Sequence, residues 1–333
     1  MKQRHFIVIS AGLLLAALFS VSCQKPFHDP SEHYVLVAQN MNIPYFQEAW
    51  AGFTDAAQGL GVKAQFEGSA SYGPEETLKA LQGVIAQRPT GILVVPPQPH
   101  MFTAAINQAV QVGIPVITID TDEPESKRIM YIGTDNLQAG RESGKQIASL
   151  MKGKGKLVVI TIPGQFNLEE RLQGVQEVLA NYPDIKITHT LNSAGDPRVA
   201  SGLLADLLKR DEAVDGILCL DASSGPGAGD TVHSLHLEDK VVIVAMDTDP
   251  ATLDYIQHKV IAVTIGQKPY TMAFYALRFL DDLHHNVVHE FTDWRTAPIS
   301  PLPTRVDTGT SVIDLHNLAG FRAAAINPLP LSQ

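Results

Sequence analysis

The 333-residue chain has only two cysteines, Cys23 and Cys219. Two cysteines cannot build the disulfide framework on which small exported domains depend, so a large hydrophobic core must hold this fold together. Cys219 lies in the apolar run from Gly216 to Leu220, which is typical of a buried structural thiol. The length permits such a core, since about 310 residues follow the amino-terminal signal described below, enough for two domains.

The chain also lacks an excess of positive charge. It carries 25 Lys and Arg against 35 Asp and Glu, a formal net charge of −10. Nucleic acids and anionic lipid surfaces attract basic patches, and this sequence has no basic run. No helix-turn-helix headpiece precedes residue 33 either. The composition therefore argues against a nucleic-acid partner.

Motifs of common hydrolases and metal sites are absent as well. There is no Gly-x-Ser-x-Gly elbow and no His-Glu-x-x-His pair, and the Gly-rich run from Gly225 to Gly229 lacks the Lys-Ser/Thr of a P-loop, so it predicts a loop or a helix start. His284, His285 and His289 cluster, but only Glu290 accompanies them, so no metal site is predicted there. No calcium loop is present. The sequence predicts no enzyme and no cofactor, with an exported hydrolase as the alternative.

The one long apolar run lies at the amino terminus, where a basic stretch, Met1 to His5, precedes Phe6 to Val21. This run is shorter than the ~20 residues of a spanning helix and predicts an export signal over residues 1–22. Ser20 to Cys23 resembles a lipobox, although the usual aliphatic residue three positions before the cysteine is Ser20 here. Cys23 is therefore predicted to carry lipid, and simple cleavage or an uncleaved anchor remain the alternatives.

Residues 23–32 contain Pro26 and Pro30 and no periodic pattern, and they predict a tether. Beyond it, short apolar runs alternate with amphipathic helical patterns, and the series of strands and helices occurs twice along the chain. This pattern predicts an α/β protein with two similar, doubly wound parallel-sheet lobes and a cleft between them. The buried strands are predicted at 34–38, 92–95, 115–119, 157–160, 217–220, 241–245 and 261–265.

A polar side chain is the first to follow each of five predicted strands: these are Gln39, Asp120, Asp221, Asp247 and Gln267. Ligands of open α/β sheets bind outside the carboxyl ends of strands, so these groups should converge. Three carboxylates and two amides without a nucleophile–base pair predict a site for a sugar or polyol. Arg171 can pair with one of the carboxylates or donate to ligand oxygens. Taken alone, Asp221 and Asp247 could equally be helix caps.

Tyr45 and Phe46 follow Gln39 closely, at the start of a helix that Pro44 can initiate. An amide that bonds hydroxyls beside rings that cover C–H faces suits a sugar. The alternative is that both rings are core residues of the helix start.

Seven short motifs occur in the order found in ribose-type periplasmic sugar-binding proteins, and the chain resembles that family from about residue 34 to 317. The resemblance implies two lobes, residues 33–133 plus 267–296 and residues 134–266 plus 297–333, joined by a three-segment hinge. The crossings are expected near 133–134, 266–267 and 294–303. The motifs are Gln39 to Phe46, Pro115 to Asp120, Tyr131 to Asn136, Arg171 with Gly174, Val244 to Asp247, Thr264 to Gln267 and Val306 to Gly309.

The resemblance also implies roles for individual residues. Tyr45 and Phe46 would sandwich the sugar ring from the first lobe. Asp120, Asp247 and Arg171 would bond its hydroxyls, and Thr134 and Gln267 would lie near the hinge. Asp221 stands where many relatives have Asn.

Two departures from the family pattern concern specificity. Thr121 replaces an Arg that commonly follows Asp120, and no aromatic residue lies near Gly195, where many relatives have one that closes the second face of the sugar. Phe166 is a candidate substitute. Each lost donor or stacking face is worth ~1–3 kcal/mol, so the preferred sugar need not be ribose.

By resemblance, the protein is expected to be a monomer that captures a monosaccharide or polyol by hinge closure outside the cytoplasm. It would deliver the ligand to an ABC permease driven by a separate ATPase, and it would contact the membrane only through its lipid. A repressor of the same architecture would need a DNA-binding headpiece where the signal lies. Delivery to a chemoreceptor or sensor kinase remains the open alternative.

Overall fold

The structure, a computed structural model, describes residues 27–210 and 213–324. The predicted signal over residues 1–22 and the predicted lipidation at Cys23 lie outside these ranges. Among the helices that are described, none is both long and apolar enough to cross a membrane.

The first part of the chain alternates strands and helices without interruption. Its elements are β1 (His33–Ala38), α1 (Pro44–Leu60), β2 (Lys63–Gly68), α2 (Pro74–Gln87), β3 (Gly91–Val94), α3 (Thr103–Gln111), β4 (Val116–Ile119) and β5 (Met130–Gly133).

The second part repeats the alternation. Its elements are α4 (Asn136–Leu150), β6 (Lys154–Thr161), α5 (Phe166–Leu179), β7 (Asp184–Asn192), α6 (Pro197–Leu208), β8 (Gly216–Cys219), α7 (Ser224–Ser234), β9 (Val242–Met246), α8 (Pro250–Gln257) and β10 (Val263–Gly266). The remaining elements are α9 (Pro269–His284), β11 (Arg305–Asp307), β12 (Ser311–Asp314) and α10 (Leu318–Ala324).

The strands form two six-stranded sheets, each the centre of one lobe. The order is β11-β5-β4-β3-β1-β2 in the first sheet and β12-β10-β9-β8-β6-β7 in the second. All neighbours in the first sheet are parallel, and in the second only β12 runs antiparallel, beside β10. The predicted pair of parallel-sheet lobes is therefore confirmed.

Both faces of each sheet are covered by helices, which explains why the central strands read as continuous apolar runs. Residues 34 to 38 of β1 are fully buried. Phe53 of α1 and Leu277 of α9 pack on one face of the first sheet, while Leu81 of α2 and Ile106 of α3 pack on the other. In the second lobe α6, α7, α8 and α10 cover one face, and α4 and α5 cover the other.

Local signals explain where α1 begins and ends. Pro44 occupies its first turn, where a missing N–H leaves no bond unmade. Gly61 ends the helix with φ +74°, and its N–H reaches the carbonyls of Ala57 and Gln58. This entry from β1 into α1 fixes Tyr45 and Phe46 over the end of the first sheet.

The third crossing between the lobes lies later than the sequence predicted. The assignment of residues 297–333 to the second lobe is wrong for β11, because Val306 pairs with Ile132 of β5 in the first sheet. The chain then crosses between Asp307 and Ser311 to reach the second sheet. With only three residues, β11 is too short for a sequence pattern to indicate which sheet it joins.

Two other segments can be compared with their predictions. The Gly-rich run, which the sequence predicts as a loop or a helix start, forms the first part of α7, so the helix-start alternative is confirmed. Its small residues let neighbouring elements approach, since a Cβ at Gly227 would lie 2.4 Å from the Pro197 carbonyl oxygen. The tether prediction over residues 23–32 fails for its last part, because Glu32 is buried and paired with histidines.

Candidate ligand-binding site

The cleft between the lobes is built from strand ends that turn sharply. Asn40, Asp120 and Asp247 follow β1, β4 and β9, and their φ angles are +50°, +63° and +68°. Asn and Asp enter this left-handed region more readily than most residues, and such conformations gather at functional sites. Each turn places a polar side chain outside the carboxyl end of its strand, as the doubly wound topology requires.

The predicted residues converge on one hollow between the lobes. About 420 Å³ of empty space lies within it when the part open to solvent is included. Thr134 is the one predicted residue that does not line it, because its hydroxyl donates instead to Gln267 Oε1 at 2.8 Å. The predicted residues that line the hollow are Gln39, Tyr45, Phe46, Asp120, Arg171, Asp221, Asp247 and Gln267.

Arg171 is 2% exposed and bonds three neutral acceptors rather than a carboxylate. Its Nε donates to Asn136 Oδ1 (2.9 Å), Nη1 to the Leu220 carbonyl (2.8 Å) and Nη2 to Gln267 Oε1 (2.7 Å). Gln267 in turn donates from Nε2 to Asp247 Oδ1 at 2.8 Å. The prediction that Arg171 could pair directly with a carboxylate is therefore not met. The side chain of Gln267 instead links Arg171 to Asp247 through one hydrogen bond to each.

Glycines explain how a helix can carry such a buried Arg. A Cβ on Gly174, one turn after Arg171, would lie 2.2 Å from the Leu137 carbonyl oxygen, and a Cβ on Gly140 would lie 2.0 Å from the Arg171 carbonyl oxygen. Helices α4 and α5 therefore cross at a distance that only glycine permits, and this crossing fixes the direction of the guanidinium.

Burial makes the carboxylates of the site reluctant to ionise. It raises the pKa of Asp247 to about 7, although the nearby Arg171 charge and the Gln267 bond act in the opposite direction. Burial also raises the pKa of Asp120, which accepts from the Tyr45 hydroxyl at 2.7 Å. The pKa values of both carboxyl groups are therefore raised by burial, and perturbed pKa values of this kind are common at functional sites.

Asp221 has a structural role that the sequence left as an alternative. Its Oδ1 accepts from the backbone N–H groups of Ser223 and Ser224, and its Oδ2 accepts from the hydroxyls of Ser193 and Ser224. With four donors already bound, it caps the start of α7 and offers a ligand little acceptor capacity. The prediction of Asp221 as a ligand-bonding group is therefore weakened, although the residue does line the hollow.

The aromatic wall differs from the predicted sandwich. The rings of Tyr45 and Phe46 meet edge to face, with centroids 5.1 Å apart and planes at 87°, so no sugar ring fits between them. Phe166 does not line the hollow, whereas Tyr72 does, close to Gly195. Tyr72 thus supplies the ring near Gly195 that the family pattern had placed on the second lobe.

Sequence reasoning missed other residues of the hollow, among them Gln165 and Asn167 at the start of α5. The sequence does contain a signal for them, because both are polar and follow β6, and ligands of such sheets bind outside the carboxyl ends of strands. The missed lining residues are Asn40, Ile43, Tyr72, Ile162, Gln165, Asn167, Leu168, Gly195, Ala222 and Ser223.

Three buried side-chain oxygens of the hollow have no hydrogen-bond partner among the described residues. They are Gln39 Oε1 on the first lobe and Gln165 Oε1 and Asn167 Oδ1 on the second. An unpaired buried acceptor costs about 1–3 kcal/mol, so three around one hollow call for a ligand with several hydroxyl donors.

The lobes touch across the mouth of the hollow. Asn40 Nδ2 on the first lobe donates to the Gly195 carbonyl on the second at 3.1 Å, and the Ser223 hydroxyl donates to the same oxygen at 2.9 Å. The structure therefore shows the two lobes close together over the hollow.

We expect Asp247→Asn to stabilise the ligand-free protein by roughly 1–4 kcal/mol at pH 8. The folded-state pKa of about 7 exceeds the ordinary 3.8, so the folded protein binds the extra proton and this carboxyl lowers stability as pH rises from 4 to 7. The gap between variant and parent should close near pH 4. Urea unfolding at several pH values measures it, and a pH-independent gap would contradict the assigned pKa.

The family described as periplasmic binding protein domain matches residues 34–285 of this chain. The chain belongs to the periplasmic binding protein family. Among curated relatives, the xylose/arabinose-binding protein of Sulfolobus acidocaldarius is 25% identical over 324 residues, covering 91% of this chain and 75% of that protein. The ribose import binding protein of Bacillus subtilis is 23% identical, and the match covers 86% of this chain and 94% of that protein.

A solved periplasmic binding protein fits the structure along most of its length. The arabinose-binding protein of Geobacillus stearothermophilus is 33% identical, covers 88% of this chain and 99% of its own, and superposes with a TM-score of 0.73. The fold and the family predicted from the motifs are therefore confirmed, and so is the class of solute-binding protein.

Proposed function

We propose that this protein captures a pentose in the cleft and closes its two lobes around it. The carrying observation is the set of unpaired acceptors, Gln39 Oε1, Gln165 Oε1 and Asn167 Oδ1, which come from both lobes. Sugar hydroxyls are donors that satisfy such oxygens. The three relatives named above bind arabinose, xylose or ribose by their descriptions, which favours a five-carbon sugar.

In this proposal the ligand bonds the two lobes at once, so it binds the closed form better than the open form. Periplasmic binding proteins are a standard example of such hinge closure. Asp120 and Asp247 accept hydrogen bonds from the sugar hydroxyls, and Arg171 and Gln267 hold Asp247 in place. The rings of Tyr45, Phe46 and Tyr72 cover apolar faces of the sugar ring. The family, a class of solute-binding proteins, supports binding without chemical change.

The proposal extends to delivery. The signal over residues 1–22 exports the chain, lipid on Cys23 anchors it to a membrane, and a monomer hands its sugar to an ABC permease powered by a separate ATPase. Support comes from the apolar amino terminus and from the import role named for the Bacillus relative. Loss of sugar uptake on deletion of the gene tests it, and unchanged uptake of every bound sugar would count against it.

A thermal-shift screen of arabinose, xylose, ribose, hexoses and cyclitols tests the ligand class. We expect a pentose to raise the melting temperature most, since a ligand at 100 times its Kd adds about 2.7 kcal/mol of stability. Asn167→Ala should weaken that sugar by about 10- to 100-fold in calorimetry, because a buried hydrogen bond is lost.

Asn181→Ala is the matched control, since Asn181 is an exposed amide whose Nδ2 donates to the nearby Val178 carbonyl. It should leave affinity unchanged. A screen in which no pentose shifts the melting temperature would overturn the proposal.

A further inference from the structure

A second cluster of polar side chains lies far from the cleft. Two residues that precede β1, His28 and Glu32, meet two residues at the end of α9, Asp281 and His285. The cleft lies beyond the carboxyl end of β1, whereas this cluster adjoins its amino end, about 20 Å away along six residues. In the sequence, His285 groups only with its neighbours His284 and His289, because His28 and Glu32 are distant in the chain.

The four ligand atoms are spaced like the corners of one coordination shell. His28 Nδ1 lies 3.3 Å from Glu32 Oε2 and 3.5 Å from Asp281 Oδ1, and His285 Nε2 lies 3.2 Å and 3.6 Å from the same two oxygens. Around zinc, bonds of 2.0–2.2 Å at tetrahedral angles separate neighbouring ligand atoms by about 3.3–3.6 Å. All four atoms lie within 4.8 Å of one another.

Both carboxylates are buried, with Glu32 6% and Asp281 3% exposed. The ion pairs shown for them in the described ranges are all with histidines, so no permanent positive charge balances two buried negative ones. Buried charges require a partner, and a divalent cation supplies one for both. Two imidazoles and two carboxylates are ligands that zinc accepts.

Outer contacts hold the ligands in place. The Asp29 N–H donates to Glu32 Oε1 at 2.8 Å, which leaves Oε2 directed at the cluster, and the Tyr34 hydroxyl donates to Asp281 Oδ1 at 3.1 Å. The Phe27 ring stacks on the His285 ring with centroids 4.4 Å apart, which shields one side. Such second contacts are typical of metal sites and orient the liganding atoms.

We propose that His28, Glu32, Asp281 and His285 bind one divalent transition-metal ion of the zinc class and so fasten the amino-terminal segment to α9. Four protein ligands close the coordination shell, so the site is structural rather than catalytic. His28 lies only five positions after Cys23, a reach of about 18 Å at most. If Cys23 carries lipid as proposed, the ion holds the first lobe close to the membrane.

Calorimetry with Zn²⁺ on the full-length protein tests the site. We expect one ion per chain, a raised melting temperature, and at least about 100-fold weaker binding in His285→Gln. His289→Gln is the matched control, because His289 is exposed and outside the cluster. Co²⁺ in place of zinc should give the strong visible absorption of four-coordinate cobalt in the parent and the control, and not in His285→Gln.

His28→Gln provides a second variant outside α9, in case His285→Gln fails to fold. Absence of stoichiometric zinc binding, or equal binding by the parent and both cluster variants, would overturn the site. Sugar affinity should not change with zinc, because the two sites lie at opposite ends of the sheet. The cluster therefore stands or fails independently of the proposed sugar.

Discussion

Arg171→Met is expected to lower the free energy of unfolding by about 3–5 kcal/mol and to abolish measurable sugar binding. The substitution removes three hydrogen bonds of a buried guanidinium. The acceptors on Asn136 and Leu220 lose this donor, and Gln267 Oε1 keeps the Thr134 hydroxyl. The substitution also removes the positive charge that lowers the pKa of Asp247 against the effect of burial, so that carboxyl would be uncharged at pH 7.

Urea unfolding and calorimetry measure the two effects, and Arg141→Met is the control. Arg141 lies on α4 and pairs with Glu177 at the surface, where loss of an ion pair has little effect on stability. Adding Asp247→Asn to Arg171→Met should recover part of the stability without restoring binding, because folding no longer has to protonate this carboxyl at pH 7, while the carboxylate acceptor is also lost. An Arg171→Met protein as stable as the parent would show that the guanidinium is not a structural centre of the site.

Gly195→Leu is expected to weaken sugar binding by at least about 100-fold with only a modest loss of stability. A Cβ at Gly195 would lie 3.2 Å from Asn40 Nδ2 and 3.2 Å from Tyr72 Cβ, both on the opposite lobe. A leucine would hold the lobes apart, and the ligand would lose its hydrogen bonds to one of them. Two lost bonds of 1–1.5 kcal/mol each correspond to roughly this factor.

Gly164→Leu separates closure from backbone strain. Gly164 has φ +85° and Gly195 has φ +67°, so a leucine is disfavoured at both, but nothing lies within 4 Å of a Cβ at Gly164. Both variants should lose similar stability, and only Gly195→Leu should lose affinity. Small-angle X-ray scattering should show that the Gly195→Leu protein keeps its larger radius of gyration when sugar is added. Equal affinities for the two variants would mean that closure does not depend on this contact.

Much of this architecture could be predicted because buried parallel strands leave strong signals. The run from Tyr34 to Ala38 is apolar throughout because helices cover both faces of the sheet, and the same reason made the other central strands visible. Ligands bind outside the carboxyl ends of parallel strands, and this rule located Gln39, Asp120 and Asp247, since topology alone brings those positions together.

The rest of the site depends on geometry that no local pattern encodes. Tyr72 lies in a loop without periodicity, and its closeness to Gly195 exists only when the lobes approach. The role of Asp221 as a cap depends on Ser193, a residue 28 positions away in the chain. The edge-to-face arrangement of the Tyr45 and Phe46 rings depends on their side-chain torsions, whereas the family pattern suggested a sandwich.

The return of α9 to the first lobe determines when that lobe can be completed. Ala276, Leu277 and Leu280 of α9 belong to the same buried cluster as Tyr34 and Leu36 of β1, and five of the six strands of the second sheet, β6 to β10, lie between them in the chain. A chain that ends before residue 269 leaves the part of this face that α9 covers exposed, with only α1 on it. If the chain is exported as proposed, this favours export in the unfolded state, because the first lobe becomes compact only when nearly the last part of the polypeptide is present.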